Sequence, residues 1–579
     1  MTNLPIKTAF LLGISLFLFA TGCGPSAEWQ YADLVLTGGK IATVSDGTPY
    51  AEAIAIKADT ILALGTTQEI SDLIGPDTQT IELAGRLAIP GFIEGHGHYM
   101  SLGRSRMILD LTTAKSWDDI VAMVAEAAAG AEPGEWIQGR GWHQEKWDSV
   151  PEGSVEGVPT HQSLSAVSPD NPVLLGHASG HGAFANAEAL RRGGVSSETP
   201  NPSGGEILRD MRGEPTGMLR ETAQRLVGSA LSKARESMTL EELAEESEMM
   251  ATLAAAEALE NGITSFQDAG SSFGRIDLFK QLADEGKLPV RLYVMISASN
   301  ENLAESLPEY RLDGYGDSRL TVRSIKRSID GALGTHGAWL LEPYEDLPSS
   351  AGLNTSSVES VTETAVIAAK HGFQLNVHAI GDRANREVLD IFENTFDSIE
   401  ELSAGRWRVE HAQHLNPSDI PSFAELGVIP SMQGVHQTSD ALWVYRRLGE
   451  ERARDGAYMW QTLWQSGAVV TNGTDVPVEN ISPIASYYST VSRRLTDGSV
   501  FFPDERLSRE QALQSYTLNN AYAAFEEDIK GSLEPGKLAD ITILSQDILT
   551  IAEEDIPSTE IDVTIVGGEV LYTRSTEQE

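Results

Sequence analysis

The chain has 579 residues, enough for several domains at about 100–200 residues each, although a single α/β barrel with added segments reaches the same size. Its 84 acidic and 42 basic residues leave a net charge of −42 spread along the chain, which argues against nucleic acid, because phosphate binding needs clustered Lys and Arg. The acidity reads as solvation of the surface, with a steering field for a cationic substrate as the alternative. An apolar share of 41% and a charged share of 22% are those of a globular protein with ample core.

The N-terminus reads as a targeting segment. Lys7 supplies a positive start, and Ala9 to Ala20 form an apolar run of 12 residues. A membrane-spanning helix needs roughly 20, so the run fits a signal-peptide core. It leads into Ala20-Thr21-Gly22-Cys23, which resembles a bacterial lipoprotein signal with Cys23 as the lipidated first mature residue; an ordinary secretory peptide is the alternative. Cys23 is the single cysteine, so no disulfide within the chain is available and no thiol remains for metal or nucleophile. An anchor at Cys23 places the protein in the cell envelope, on the periplasmic side. Gly24 after the Cys, in place of Asp, favours the outer membrane.

Short β-runs follow. Ala32 to Thr37, the Gly38-Gly39 turn, Ala53 to Ile56 and Thr60 to Gly65 predict a small β-domain over 31–87. Ala539 to Leu544 and Val563 to Val570 have the same character, so residues 533–579 are expected to complete one sandwich with the N-terminal strands. The intervening 88–532 alternates apolar strand-like runs with helical patterns such as Leu240–Asn261, the signature of βαβ units. Candidate strands are Leu87–Ile93, Thr264–Gln267, Val290–Met295, Val322–Ile325, Phe373–Val377, Arg406–Val409, Val428–Met432 and Ala468–Thr471. Eight is the number of a (β/α)8 TIM-type barrel. Residues from about 131 to 235, rich in Pro, Gly and Trp, break the rhythm and are expected to form an insertion over the barrel mouth. Trp142 and Trp147 read as packing within it rather than as substrate platforms.

Four places carry chemistry. Pro90-Gly91-Phe92-Ile93-Glu94-Gly95-His96-Gly97-His98 runs a buried strand into a His-x-His pair. On extended backbone, residues i and i+2 point the same way, so His96 and His98 can converge on one metal. The strands Phe373–Val377 and Arg406–Val409 lead into His378 and His411, and a strand ending near Thr471 leads to Asp475. In a (β/α)8 barrel the C-terminal strand ends carry the catalytic groups. A carboxylate there can bind a metal or accept a proton from water.

In this order the motifs resemble the amidohydrolase superfamily, and in particular amidohydrolase family 3, which includes N-substituted formamide deformylases. The resemblance runs from Leu34 to the final strands. It rests on Ile89 to His98, Gly262 to Gly270, Asp330 to Gly334, Val377 to Asp382, Glu410 to Gln413, Ser431 to His436, Gly473 to Val478 and Leu533 to Asp540. Glu94-Gly95 stand where Asp-Ser or Asp-Thr is usual, and Gly434 where Pro is usual. The resemblance implies that His96, His98, His378 and His411 are metal ligands and that Asp475 is ligand and general base. Lys326 falls where many relatives place a carboxylated lysine bridging two metals; a buried lysine paired with Asp330 is the plain alternative. His181, in Gly180-His181-Gly182, is expected to contact substrate or its oxyanion, and His436 to contact substrate. His143, His161, His177, His336, His371 and His414 read as structural or solvent-facing. The resulting expectation is a hydrolase of a non-peptide C–N bond, in an amide, N-formyl or cyclic amide. It would use one or two divalent ions, zinc by preference, because imidazole-rich sites suit it. Hydrolysis of an ester, or a non-catalytic lipid-anchored binding protein, are the rivals. Expected partners are a small amide-like molecule, a membrane through the anchor and a second copy in a homodimer.

Overall fold

The computed structural model describes residues 31–398 and 406–575; Cys23 and the signal core lie outside them. Eight parallel strands form the central sheet: β1 (Phe92–Gly97), β2 (Ile263–Ser271), β3 (Arg291–Ile296), β4 (Leu320–Ser328), β5 (Gln374–Ala379), β6 (Arg408–His411), β7 (Ile429–Gln433) and β8 (Thr471–Gly473). Both faces of the sheet are covered, so β3, with the sequence RLYVMI, is buried along its whole length and reads as a continuous run rather than an alternation. The sheet closes where β8 meets β1. The Asp475 N–H donates to the His96 carbonyl at 2.7 Å, and the Asn520 amide spans the seam, donating to the carbonyls of Ile93 (2.7 Å) and Asn472 (2.8 Å). Gly95 sits at this crossing because a Cβ there would lie 2.4 Å from the Asn472 carbonyl oxygen.

Helices return the chain between strands. Leu240–Glu260 starts at a capping box of Thr239 and Glu242 and lays Ala251, Ala254, Ala255, Ala258 and Leu259 against the barrel. Its small residues let the helix approach the sheet closely. Val358–His371 starts on the Ser357 hydroxyl and stops at Gly372, whose φ of +69° ends it without a Cβ clash.

The chain ends build two further sheets. One holds Thr60–Gly65, Ala53–Lys57, Leu34–Thr37 and Gln79–Glu82; the other runs Glu569–Thr573, Ile561–Val566, Ile541–Leu544, Leu87–Pro90, Lys40–Ala42, Tyr50–Ala51. Leu36, Ile54, Ile56, Ala88, Ile541 and Ile565 fill the space between them. The apolar run 87–93, expected as one strand, is two. Leu87–Pro90 pairs antiparallel with Ile541–Leu544, and only from Phe92 does the chain join the barrel. Gly91 makes the handover, since a Cβ there would meet Thr264 Cγ2 at 2.2 Å.

The insertion has its own six-stranded sheet, Gly205–Arg209, Pro215–Glu221, Gly182–Ala185, Val173–His177, Ile137–Trp142 and Leu109–Asp110. It therefore begins some twenty residues before the expected 131, because Leu109–Asp110 and the helix Trp117–Gly130 supply its edge and one wall. Trp142 and Trp147 are buried there, stacked at 5.8 Å, as packing residues. No helix among the described residues is long and apolar enough to cross a membrane.

Candidate active site

The C-terminal strand ends bring His96, His98, Lys326, His378, His411 and Asp475 to one mouth. One nitrogen each of His96 and His411 and one oxygen of Asp475 lie within 4.8 Å of one another, all three residues buried. Asp475 Oδ1 stands 3.0 Å from His98 Nε2 and 3.6 Å from His96 Nε2. Burial raises the Asp475 pKa, but His98, His96 and His411 outweigh it and hold the carboxyl well below the usual range. His98 is a third exposed, at the rim. The His378 ring is 4.4 Å from that of His411, and its Nε2 is buried with no hydrogen-bond partner among the described residues. Lys326 Nζ lies 3.4 Å from His96 Nε2, and burial lowers its pKa. The pairing of Lys326 with Asp330 does not occur. The Asp330 carboxylate instead accepts from the amides of Trp339, Ile380 and Gly381 at 2.8–3.0 Å, burial pushing it up to about 7.

Two of the ligand-type imidazoles, His96 and His411, are oriented from behind. His96 Nδ1 is hydrogen-bonded to Glu410, which is paired with the buried Arg408. Burial would raise the Glu410 pKa, but Arg408 and His96 hold it far below the ordinary value. Arg408 also donates to the Gly95 carbonyl and to Ser431 Oγ, both at 2.7 Å, tying β1, β6 and β7 together. His411 Nδ1 meets Gln433 Oε1 at 2.8 Å. At His411 the backbone adopts φ +79°, which breaks the strand alternation and lets consecutive Glu410 and His411 both serve the centre. Glu94 accepts from Thr474 N (2.7 Å), Thr474 Oγ1 (2.9 Å) and His96 N (3.3 Å), so the unusual Glu94-Gly95 pair fastens β1 to β8.

This donor set fits a divalent cation: imidazole and carboxylate atoms of His96, His411 and Asp475 converge, and the His378 ring packs beside them with its buried Nε2 not hydrogen-bonded among the described residues and 3.5 Å from Asp330 Oδ1. His181, from the insertion, comes within 5.0 Å of the His378 ring. Its Nδ1 is 2.8 Å from Glu221 Oε2; burial opposes a charge on the ring, but Glu221 outweighs it and the His181 pKa is raised. His436 lies beside His411, rings 6.3 Å apart, its Nδ1 held by the Gln413 amide.

Two hollows meet at Asp475, His181, His378 and His411. An inner one is walled by Leu333, Ile380, Trp443, Val478 and His436; an outer one opens more widely to solvent. His143, read from the sequence as structural, lines the inner hollow, stacked on Trp443 at 4.6 Å. Sequence reasoning also missed Arg140, Glu221, Arg408, Glu410 and Gln433. The spacing Arg408-x-Glu410 was the available signal, since charges two apart on an otherwise apolar strand share an inward face.

Metal-type donors at the C-terminal mouth of a parallel eight-stranded barrel define a barrel hydrolase. The chain belongs to the amidohydrolase family, which matches residues 79–572. It is 33% identical over 554 residues to the Arabidopsis thaliana protein LONG AFTER FAR-RED 3, covering 93% of this chain and 92% of that protein. It is 26% identical over 561 residues to the N-substituted formamide deformylase of Arthrobacter pascens, covering 94% and 99%. A crystal structure of an uncharacterized metal-dependent hydrolase from Pyrococcus horikoshii superimposes with a TM-score of 0.71 at 26% identity, covering 90% of this chain and 99% of that one.

Proposed function

We propose that the chain hydrolyses a non-peptide C–N bond of a small amide, with Asp475 as general base. The observation that carries this is the convergence of His96, His411 and Asp475 donor atoms within 4.8 Å beside His98, Lys326 and His378. His96, His98, His378, His411, Asp475 and Lys326 would hold one or two divalent ions, zinc by preference for the imidazole-rich set. A bound cation supplies Lewis acidity, acidifying water and polarising the scissile carbonyl. Asp475, kept ionised by its imidazole neighbours, accepts a proton from the attacking water. His181, braced by Glu221, donates to the developing oxyanion. Asp475 then returns the proton to the nitrogen, the C–N bond breaks, and amine and carboxylic acid leave. His436 and the inner hollow take the apolar half of the substrate. The similarity to a formamide deformylase supports an N-formyl or related amide as the first substrate to test.

Purified chain loaded with zinc and offered N-formyl amines, N-acyl amino acids, cyclic imides, ureas and esters should hydrolyse an amide and lose the activity on chelation. Full activity in metal-free protein, or ester cleavage alone, overturns the reading. The lipid anchor at Cys23 is a further proposal, supported by the apolar run before it.

A further inference from the structure

The outer hollow has an unusual charge for this chain. Acids outnumber bases two to one overall, yet three arginines line this cleft, Arg140, Arg225 and Arg327, beside Lys326 of the proposed metal set and against one carboxylate, Asp475. Arg327 is spoken for by neutral acceptors: Thr364 Oγ1 at 2.8 Å, the Ala298 carbonyl and Asn300 Oδ1, both at 2.5 Å. Arg140 is different. Its Nε and Nη2 donate to the carbonyls of Pro477 (3.3 Å) and Ala178 (3.0 Å), which fix the guanidinium without neutralising it. No carboxylate pairs with Arg140 or Arg225 among the described residues. The guanidinium lies over Gly180, where a Cβ would approach Nη2 to 3.8 Å, so it stands beside the loop that carries His181. Arg225 is exposed at the same mouth, on the helix Gln224–Arg235. The inner hollow has the opposite character: an apolar wall with Asp440 and Glu479 against Lys146.

We infer that the outer cleft is an anion subsite built on Arg140 and Arg225, so that the substrate is an amide bearing a carboxylate, with its apolar half in the inner hollow. An immobilised guanidinium with no protein counter-ion is the group that recognises carboxylate by charge-assisted hydrogen bonds. Placement by the insertion puts the anion on the solvent side of the scissile carbonyl. The strongly acidic surface repels such a substrate at long range, so recognition has to be local to this cleft. The inference rests on the hydrolase reading above.

Matched probes separate the two. N-formyl-phenylalanine and N-formyl-phenethylamine share the scissile bond and the aromatic group and differ by one carboxylate on the amine half. N-succinyl-benzylamine moves the carboxylate to the acyl half. The zinc-loaded chain should show a kcat/KM at least about tenfold higher for one of the two acids than for the neutral amide, as expected of a charged hydrogen bond. Which acid it is tells the amine half from the acyl half. Arg140→Gln and Arg225→Ala should each shrink that ratio, and Arg140→Lys should recover part of it. Calorimetric titration of the same three probes into Asp475→Asn reads binding with turnover strongly slowed. Equal binding of acid and neutral probe, or a ratio insensitive to both arginines, overturns the anion subsite while leaving a working amidohydrolase in place. Selective binding of an acid through Arg140 with no turnover of any amide by the wild type upholds the subsite and overturns the hydrolase reading.

Discussion

Asp475 combines two properties that place it at the chemistry. Its backbone, at φ +58°, turns out of β8 to close the barrel on His96, and its carboxylate is surrounded by three imidazoles. Asp475→Asn keeps the shape and one oxygen ligand but removes the basic oxygen. General acid–base catalysis contributes about 10²–10⁴ in rate, so kcat should fall at least about a hundredfold with the fold intact and most metal retained. KM should move less, since the lost interaction belongs to the transition state. Steady-state kinetics with metal analysis on this one variant checks it; near-wild-type kcat with a lowered Tm would reduce Asp475 to a structural cap. Lys326 poses a stoichiometric question. It is half-buried at the outer cleft, makes no ion pair among the described residues and lies 3.4 Å from His96 Nε2. If its carboxylated form bridges two ions, Lys326→Ala should reduce bound zinc from two equivalents to one by elemental analysis, and unchanged stoichiometry removes it from the ligand set. The His-x-His pair and Asp475 were legible because a metal site needs particular side chains at strand ends. The Arg408-x-Glu410 spacing signalled two inward charges but not their roles, and the role of Asp330 was not legible, because a buried polar group is understood only through the partners that compensate it.

The seam between β1 and β8 is the element on which the site depends most, since it carries His96 and Asp475 on adjoining backbones. The Asn520 side chain satisfies two carbonyls across it, those of Ile93 and Asn472. Asn520→Ala leaves both short of a donor in a buried place, where each unpaired group costs about 1–3 kcal/mol. The variant should melt at least about 2 °C lower and bind zinc more weakly, by scanning calorimetry and metal titration. An unchanged Tm would show that β1 and β8 hold without it. Strand identity was legible to within a few residues, because parallel strands buried on both faces are continuous apolar runs. Boundaries failed where the chain changed partner inside such a run. Nothing local to Leu87–Ile93 says that Pro90 pairs with Ile541 while Phe92 pairs with Ile263. The early start of the insertion failed likewise, because Leu109–Asp110 is a two-residue strand made only by its neighbour, Gly139–Arg140.

At the scale of the molecule, the chain ends meet in one sheet, the barrel lies between them in sequence, and the insertion covers the mouth. The proposed anchor at Cys23 would tether this assembly by its N-terminal side. Cys23→Ser should move the protein from the membrane fraction to the soluble one, and a variant that stays membrane-bound after a carbonate wash refutes the lipoprotein assignment. The sequence by itself determined the family, the eight-strand repeat and the identities of the residues that gather at the mouth. These are local patterns: strand runs ending in His or Asp, in a fixed order. Tertiary structure alone decided how those residues are served. It set Glu410 behind His96, Asp330 on three backbone amides rather than on Lys326, His143 in the inner wall, and Arg140 over the outer cleft with no ion pair among the described residues. The reason is physical. The charge state and orientation of a buried group depend on what lies within a few ångströms of it, and in a closed barrel those neighbours come from strands and loops hundreds of residues apart.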